Sequence, residues 1–257
     1  MFNRLVNELA VCSLKTVRAL TEVHPETINR LFLREERMQE FAPLCKQLAE
    51  RKRPYKICAD EELERICKTV HHQGIVAMIV EPEVIPLSRE DLALWAEQGK
   101  RGIVLHSVGN DMNLGAIVRS AAFFDIHFLI ISELDEDARL STGAYRVAEG
   151  GMEYVTVRSV RKTELFLRDA SKVLLTLGAD HRARQRLKNM ASIVEAAAQK
   201  KGARPGIALV VGNEELGLPD EVKEHCHAIL RIPGTGNIES LNVAQAATLF
   251  LYELYEA

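Results

Sequence analysis

From residue 101 onward, short apolar runs recur between stretches of helical pattern. This rhythm constrains the fold more than any other feature of the chain. Ile103–Val108, Phe128–Ser132, Lys172–Leu177, Ile207–Val211 and Ala228–Ile232 each read as a strand. Strands separated by helical segments do not pair as hairpins. They line up as a parallel sheet, with crossover helices covering both faces. The sequence therefore predicts an α/β fold for this part. Connections in such folds are normally unknotted, and periodicity alone predicts no knot.

The first third shows the same two periods. Val6–Leu20 reads as a helix, Arg30–Arg34 as a strand and Met38–Glu50 as a helix ended by the basic run Arg51-Lys52-Arg53-Pro54. Tyr55–Ala59 reads as a strand and Asp60–Lys68 as a helix with Asp60 suited to capping. His71–Val80 closes the region as a strand. Glu81–Pro86 carries two prolines and reads as a linker. Leu87–Lys100 follows as a helix with Ser88 as its cap.

At 257 residues the chain can form one large domain or two smaller ones, and 47% hydrophobic residues allow a sizeable core. With 33 basic against 36 acidic residues, it is not a bulk polycation, although local basic patches remain open. No apolar run approaches the roughly 20 residues that span a bilayer. The N-terminus lacks a secretory signal pattern. The five cysteines are scattered, without CxxC or Cys/His zinc spacing, which suits reduced thiols in a cytoplasmic protein. His71-His72 has no companion ligands, so no metal is expected.

Three strand-loop-helix junctions carry the candidate chemistry. The first holds Asn113, Gly115 and Arg119. The second is Gly212-Asn213-Glu214-Glu215 with Gly217 and Pro219. The third runs Ile232-Pro233 through Gly234-Thr235-Gly236-Asn237 to Ser240-Leu241-Asn242. The third is not a dinucleotide fingerprint, because its third glycine is missing. A Walker loop is absent as well. The order N-x-G-x-x-x-R, G-N-E-x-x-G-L, I-P-x-x-G-x-x-x-S-L-N resembles the SpoU (TrmH-like) RNA ribose 2′-O-methyltransferases of the SPOUT superfamily, from about Gly102 to the C-terminus.

The resemblance implies a SPOUT domain over 101–257, with a parallel sheet and a deep trefoil knot that holds S-adenosyl-L-methionine. It implies an L30e-like α/β RNA-binding domain over 1–84, closed by the strand at His71–Val80, with 85–100 as linker and helix. Family members form homodimers through the knotted domain, which often completes the active site. Ribosomal RNA is the favoured substrate, with transfer RNA, or an RNA-binding assembly factor without turnover, as the alternatives. A cytoplasmic protein that binds neither membrane nor metal follows from the same reading.

Each singled-out residue also has a plainer role. Arg119 would stabilise the developing 2′-alkoxide electrostatically, since arginine stays protonated and is a poor base. Elsewhere such a residue is a surface ion-pair partner. Asn113 would contact substrate, or simply serve a turn. Glu214 would organise Arg119 or the substrate, or cap a helix. Ser240 and Asn242 would hold substrate or the donor loop, or form an N-cap pair; both roles are compatible. Donor binding in the family comes largely from backbone groups, which transfers to Gly212, Asn213, Ile232 and Leu241, with Leu177-Gly178 as a fourth wall. Three positions depart from the family pattern: Ala244 where a serine is usual, Gly234 after Ile-Pro, and Asp125 where a glycine is common. The basic segments at 180–188, 158–162 and 200–204 would suit RNA backbone or be ordinary solvated faces.

Overall fold

The computed structural model describes residues 2–3, 8–108, 110–133, 140–213 and 217–257. The chain divides into two compact units: Met1–Glu83 with Leu140–Tyr154, and Val84–Arg139 with Val155–Ala257.

The first unit runs β1 (Phe2–Asn3), β2 (Glu8–Cys12), α1 (Leu14–Val23), β3 (Ile28–Leu33), α2 (Met38–Glu50), β4 (Tyr55–Ile57), α3 (Asp60–Cys67) and β5 (Ile75–Val80). Its sheet has the order β1-β2-β5-β3-β4. Of the single helix expected over Val6–Leu20, the described residues, from Glu8 on, form a strand followed by a helix. All five residues of β2 are buried, and a strand buried on both faces shows no alternation, so its apolar run mimics a helix. Ser13, at φ 94°, turns the chain, and its hydroxyl accepts from the Thr16 amide to start α1. Asp60 does not cap α3; Ala59 stands at the cap without a side-chain bond, and Asp60 accepts from Arg34 Nη1 at 2.9 Å. His71–Gly74 forms a turn, so β5 is shorter than expected.

The second unit begins with α4 (Arg89–Glu97), β6 (Arg101–Leu105), α5 (Asp111–Phe123) and β7 (Phe128–Ser132). The next helix, α6 (Thr142–Ala148), belongs to the first unit, where Thr142 Oγ1 donates to Ala10 O at 2.7 Å. The second unit resumes with β8 (Thr156–Val160), α7 (Thr163–Ala170), β9 (Leu175–Ala179), β10 (Gln185–Arg186), α8 (Met190–Lys201), β11 (Ile207–Val211), α9 (Asp220–Lys223), β12 (Ala228–Arg231) and α10 (Val243–Glu256). Seven parallel strands take the order β10-β12-β9-β11-β6-β7-β8. All five expected strands are present. The edge strands β8 and β10 were not foreseen, because TVRSV and QR carry too much polarity to read as sheet.

Alternate residues of the central strands serve opposite faces. Val104, Phe128, Ile130, Ala208 and Val210 pack with Trp95 of α4 and Leu167 of α7. On the other face α10 packs against α5 and α8. Ser88 begins α4 with a capping box: its hydroxyl accepts from the Asp91 amide at 2.9 Å while Asp91 accepts from the Ser88 amide. Trp95 is fully buried, stacks on Phe128 at 4.9 Å and donates through Nε1 to the Lys100 carbonyl at 2.9 Å. It sits so close to Gly102 that any Cβ there would fall 2.3 Å from its ring. The strand order is consistent with the knotted path that the resemblance implies. No helix among the described residues is long and apolar enough to cross a membrane.

Candidate active site

In a parallel sheet the loops after the strands gather at one edge, and ligands bind in the crevice they form. Here the ends of three adjacent strands, β9, β11 and β12, border a cavity of about 320 Å³ with α10 as a further wall. That size falls within the range of small-ligand pockets. Its lining is mainly apolar, with Ile232, Leu241, Val243 and Phe250, beside polar residues such as Asp180, Asn213 and Ser240.

Of the residues expected to hold the donor, Gly212, Asn213, Ile232 and Leu241 line this cavity, and so does Ser240. Leu177 and Gly178 do not. Both are buried inside β9, and the cavity wall begins at the next three residues, Ala179, Asp180 and His181. Gly178 has a packing reason to be glycine, since a Cβ would meet Ile229 at 2.6 Å. Gly212 likewise answers to its own loop. Its Cβ would fall 2.5 Å from the Gly217 carbonyl oxygen, and Gly217, at φ 68°, donates its amide to Asn213 O at 2.9 Å. Glu214 lies outside the described residues.

The first and third junctions meet directly: Asn242 Nδ2 donates to Asn113 Oδ1 at 3.1 Å. The same Asn242 is the N-cap of α10, its Oδ1 accepting from the Ala244 amide at 2.9 Å. The second junction is tied in by Asn213, whose Nδ2 donates to Ser107 O at 3.2 Å just past β6. Ser240 is exposed and caps nothing. Arg119 is exposed on α5 and is not part of the cavity wall; it stands one turn before Phe123, which is 80% exposed.

Asp180 was not singled out from the sequence. It is buried on the cavity wall, accepts from the Arg182 amide at 2.7 Å and pairs with Lys223 at 2.7 Å. Burial alone would raise its pKa. The Lys223 ammonium and the Arg182 amide outweigh burial and hold it below the ordinary aspartate value. The signal available was an acid directly after a buried strand, the same cue that picked out Glu214.

The departures also find physical accounts. Ala244 is buried in the first turn of α10, where a hydroxyl would have to share the crowded cap. Asp125 has φ 54°, the left-handed region that explains why glycine suits the position, and it faces Arg101 at 3.7 Å. Gly234 is exposed, with nothing within 4 Å of where a Cβ would stand. Among the described residues no three His, Cys, Asp or Glu side chains are grouped to hold a metal ion.

Known proteins match this arrangement. The family model described as "SpoU rRNA Methylase family" matches residues 100–252. A second model, "RNA 2'-O ribose methyltransferase substrate binding", matches residues 14–85. A 23S rRNA (guanosine-2'-O-)-methyltransferase RlmB from Acinetobacter baylyi is 30% identical over 247 residues, 93% of each chain. The putative TrmH family tRNA/rRNA methyltransferase YacO of Bacillus subtilis is 30% identical over 73% of this chain and 71% of its own. Among solved structures, an rRNA methyltransferase from Sinorhizobium meliloti shares the fold with a TM-score of 0.73 at 20% identity, over 97% of this chain and 87% of that one. AviRb from Streptomyces viridochromogenes, in complex with the cofactor AdoMet, does so with a TM-score of 0.70 at 20% identity, over 97% and 90%.

Proposed function

From the premise that the chain belongs to the SpoU rRNA methylase family, we propose that it transfers a methyl group from S-adenosyl-L-methionine to a ribose 2′-hydroxyl of ribosomal RNA. The observation that carries this reading is the cavity at the ends of β9, β11 and β12. It is walled by the Gly212 and Ile232–Leu241 loops and joined to the first junction through Asn242 and Asn113. The residues present fit the donor: a mainly apolar slot of small-ligand size, bordered by the loops after three strands. When bound, the donor supplies an electrophilic methyl on a sulfonium. The protein then needs only to position the reactants and to stabilise developing charge.

In this reading Gly212, Asn213, Ile232 and Leu241 grip the donor, chiefly through the backbone. Leu177 and Gly178 support that wall from within β9. Ser240 and the Asn113–Asn242 pair orient the ribose, and Glu214 organises Arg119. The guanidinium of Arg119 stabilises the alkoxide as the hydroxyl loses its proton. Arg119 stands on an exposed apolar face of α5 and α10 that includes Phe123, Leu249, Tyr252 and Tyr255, exposed at 41% to 80%. We assign this face to a homodimer contact, through which Arg119 reaches the partner's cavity. The first unit serves as the RNA-binding domain, which its match to a substrate-binding model supports. Five unpaired cysteines suit a cytoplasmic, reducing setting, and the reaction as read needs no metal.

The test is methyl transfer from labelled donor to protein-free ribosomal RNA, followed by mass mapping of ribose methylation. A single 2′-O-methyl site is expected. A methyl group found on a base, or donor binding with no transfer to ribosomal or transfer RNA, would overturn the reading.

A further inference from the structure

We infer that Arg186 and Arg231 form a phosphate-binding site for the RNA backbone at the outer edge of the cavity. This rests on the reading of the chain as an RNA methyltransferase and names the part of the surface that receives the strand next to the reacting ribose.

The edge strand β10 pairs in parallel with β12, and the register sets Arg186 opposite Arg231. Residues in register project from the same face of a sheet on strands about 4.8 Å apart. This register places two like charges on one face, and arginine cannot relieve such a pairing by losing a proton. An anion between them removes the conflict. Arg231 lines the cavity, and its Nε is buried with no hydrogen-bond partner among the described residues. A buried donor left in this state calls for an acceptor. The side chain of Arg186 is exposed and forms no hydrogen bond or ion pair with a described residue.

The nearby acids do not neutralise the pair. Asp180 is committed to Lys223 and the Arg182 amide, and Glu239 to His181 at 3.3 Å. Several other basic residues singled out from the sequence already have partners. Arg158 pairs with Asp91 at 3.2 Å, Lys162 with Glu164 at 3.7 Å, and Lys201 donates to Ala96 O at 2.8 Å. At β10 an arginine pair without an ion-pair partner among the described residues adjoins the cavity.

The anion could be a phosphodiester or the donor's own carboxylate. One guanidinium inside the cavity suffices for a carboxylate and leaves the exposed Arg186 without a role. A phosphate offers acceptors to two planar forks at once. Arg182 and Arg184 precede Arg186 on the same loop and continue positive charge along the rim, as a polyanionic strand requires.

The experiment compares wild type, Arg186→Ala, Arg186→Lys and Arg231→Ala. The readouts are RNA binding over a salt series, methyl transfer, and donor binding by calorimetry. Arg186→Ala should raise the KM for RNA about five- to tenfold and flatten the slope of log affinity against log salt by about 0.7 to 1. Donor affinity and kcat should stay within about twofold of wild type. Arg186→Lys should restore the slope, because the charge returns. An active Arg186→Ala protein with wild-type KM and salt slope would overturn the site. So would loss of donor affinity in Arg231→Ala with unchanged RNA dependence, which assigns the arginine to the donor carboxylate. A wild-type protein that binds RNA but transfers no methyl would refute the functional reading while the salt slopes still decide the phosphate site.

Discussion

Asn242 uses one amide twice: its oxygen starts α10 and its nitrogen holds Asn113. The capping role expected from the sequence is present, and the cap fixes the rotamer that the contact across the junctions needs; the site role proposed for Asn242 is compatible with it. Arg119 is the residue to which the proposed mechanism gives the alkoxide. Arg119→Ala should lower single-turnover methyl transfer on the order of a hundredfold or more, the usual cost of losing one well-placed donor to an oxyanion. Donor affinity should hold, since the proposed grip on the donor comes from the Gly212, Ile232 and Leu241 loops. Arg119→Lys should fail to rescue, because an ammonium does not reproduce the planar fork. Normal turnover in Arg119→Ala would remove it from the catalytic assignment. At this scale the sequence made residue type and order legible. It did not make packing legible: Gly178 and Gly212 looked like ligand contacts, and their closest constraints are Ile229 and the Gly217 carbonyl.

Elements with a clean period were readable, and α2 matches its expected limits. Those that failed did so for stated reasons. Burial on both faces erased the alternation of β2, and the polar edge strands β8 and β10 leave few apolar side chains to detect. The register that opposes Arg186 to Arg231 is a property of chain pairing, so no linear pattern reveals it. The contact of α4 with β6 yields a direct test. In Gly102→Ala the new methyl would meet the Trp95 ring at 2.3 Å and the Phe128 Cβ at 3.1 Å, and the ring is stacked on Phe128 with its N–H bonded to backbone. Overpacking of this kind costs typically about 1–3 kcal/mol. Thermal or urea unfolding should show a loss in that range. An unchanged midpoint would mean that α4 gives way and does not hold Trp95 as described.

At the scale of the whole molecule, the exposed faces of α5 and α10 ask for a partner. Phe123 and Phe124 meet edge-on at 5.0 Å, and Phe124 approaches Tyr252 and Tyr255 at 6.0 Å each, so the aromatic rings form one continuous patch. Apolar patches of this kind mark association surfaces. Light scattering at micromolar concentration should give a dimer mass, and Phe123→Glu with Tyr252→Glu should give a monomer. A wild-type monomer would defeat the assignment. The first unit has a separate consequence, set by the order in which its parts are made. Its α6 stretch, Leu140–Tyr154, arrives about 70 residues after Glu83, and at a synthesis rate of about 5–20 residues per second that is a wait on the order of 4 to 14 s. Until then the Ala10 carbonyl lacks the Thr142 hydroxyl, and Thr16 lacks the Tyr145 carbonyl. The nascent chain therefore carries a domain whose last helix is still to be made while the first strands of the next are already leaving the ribosome.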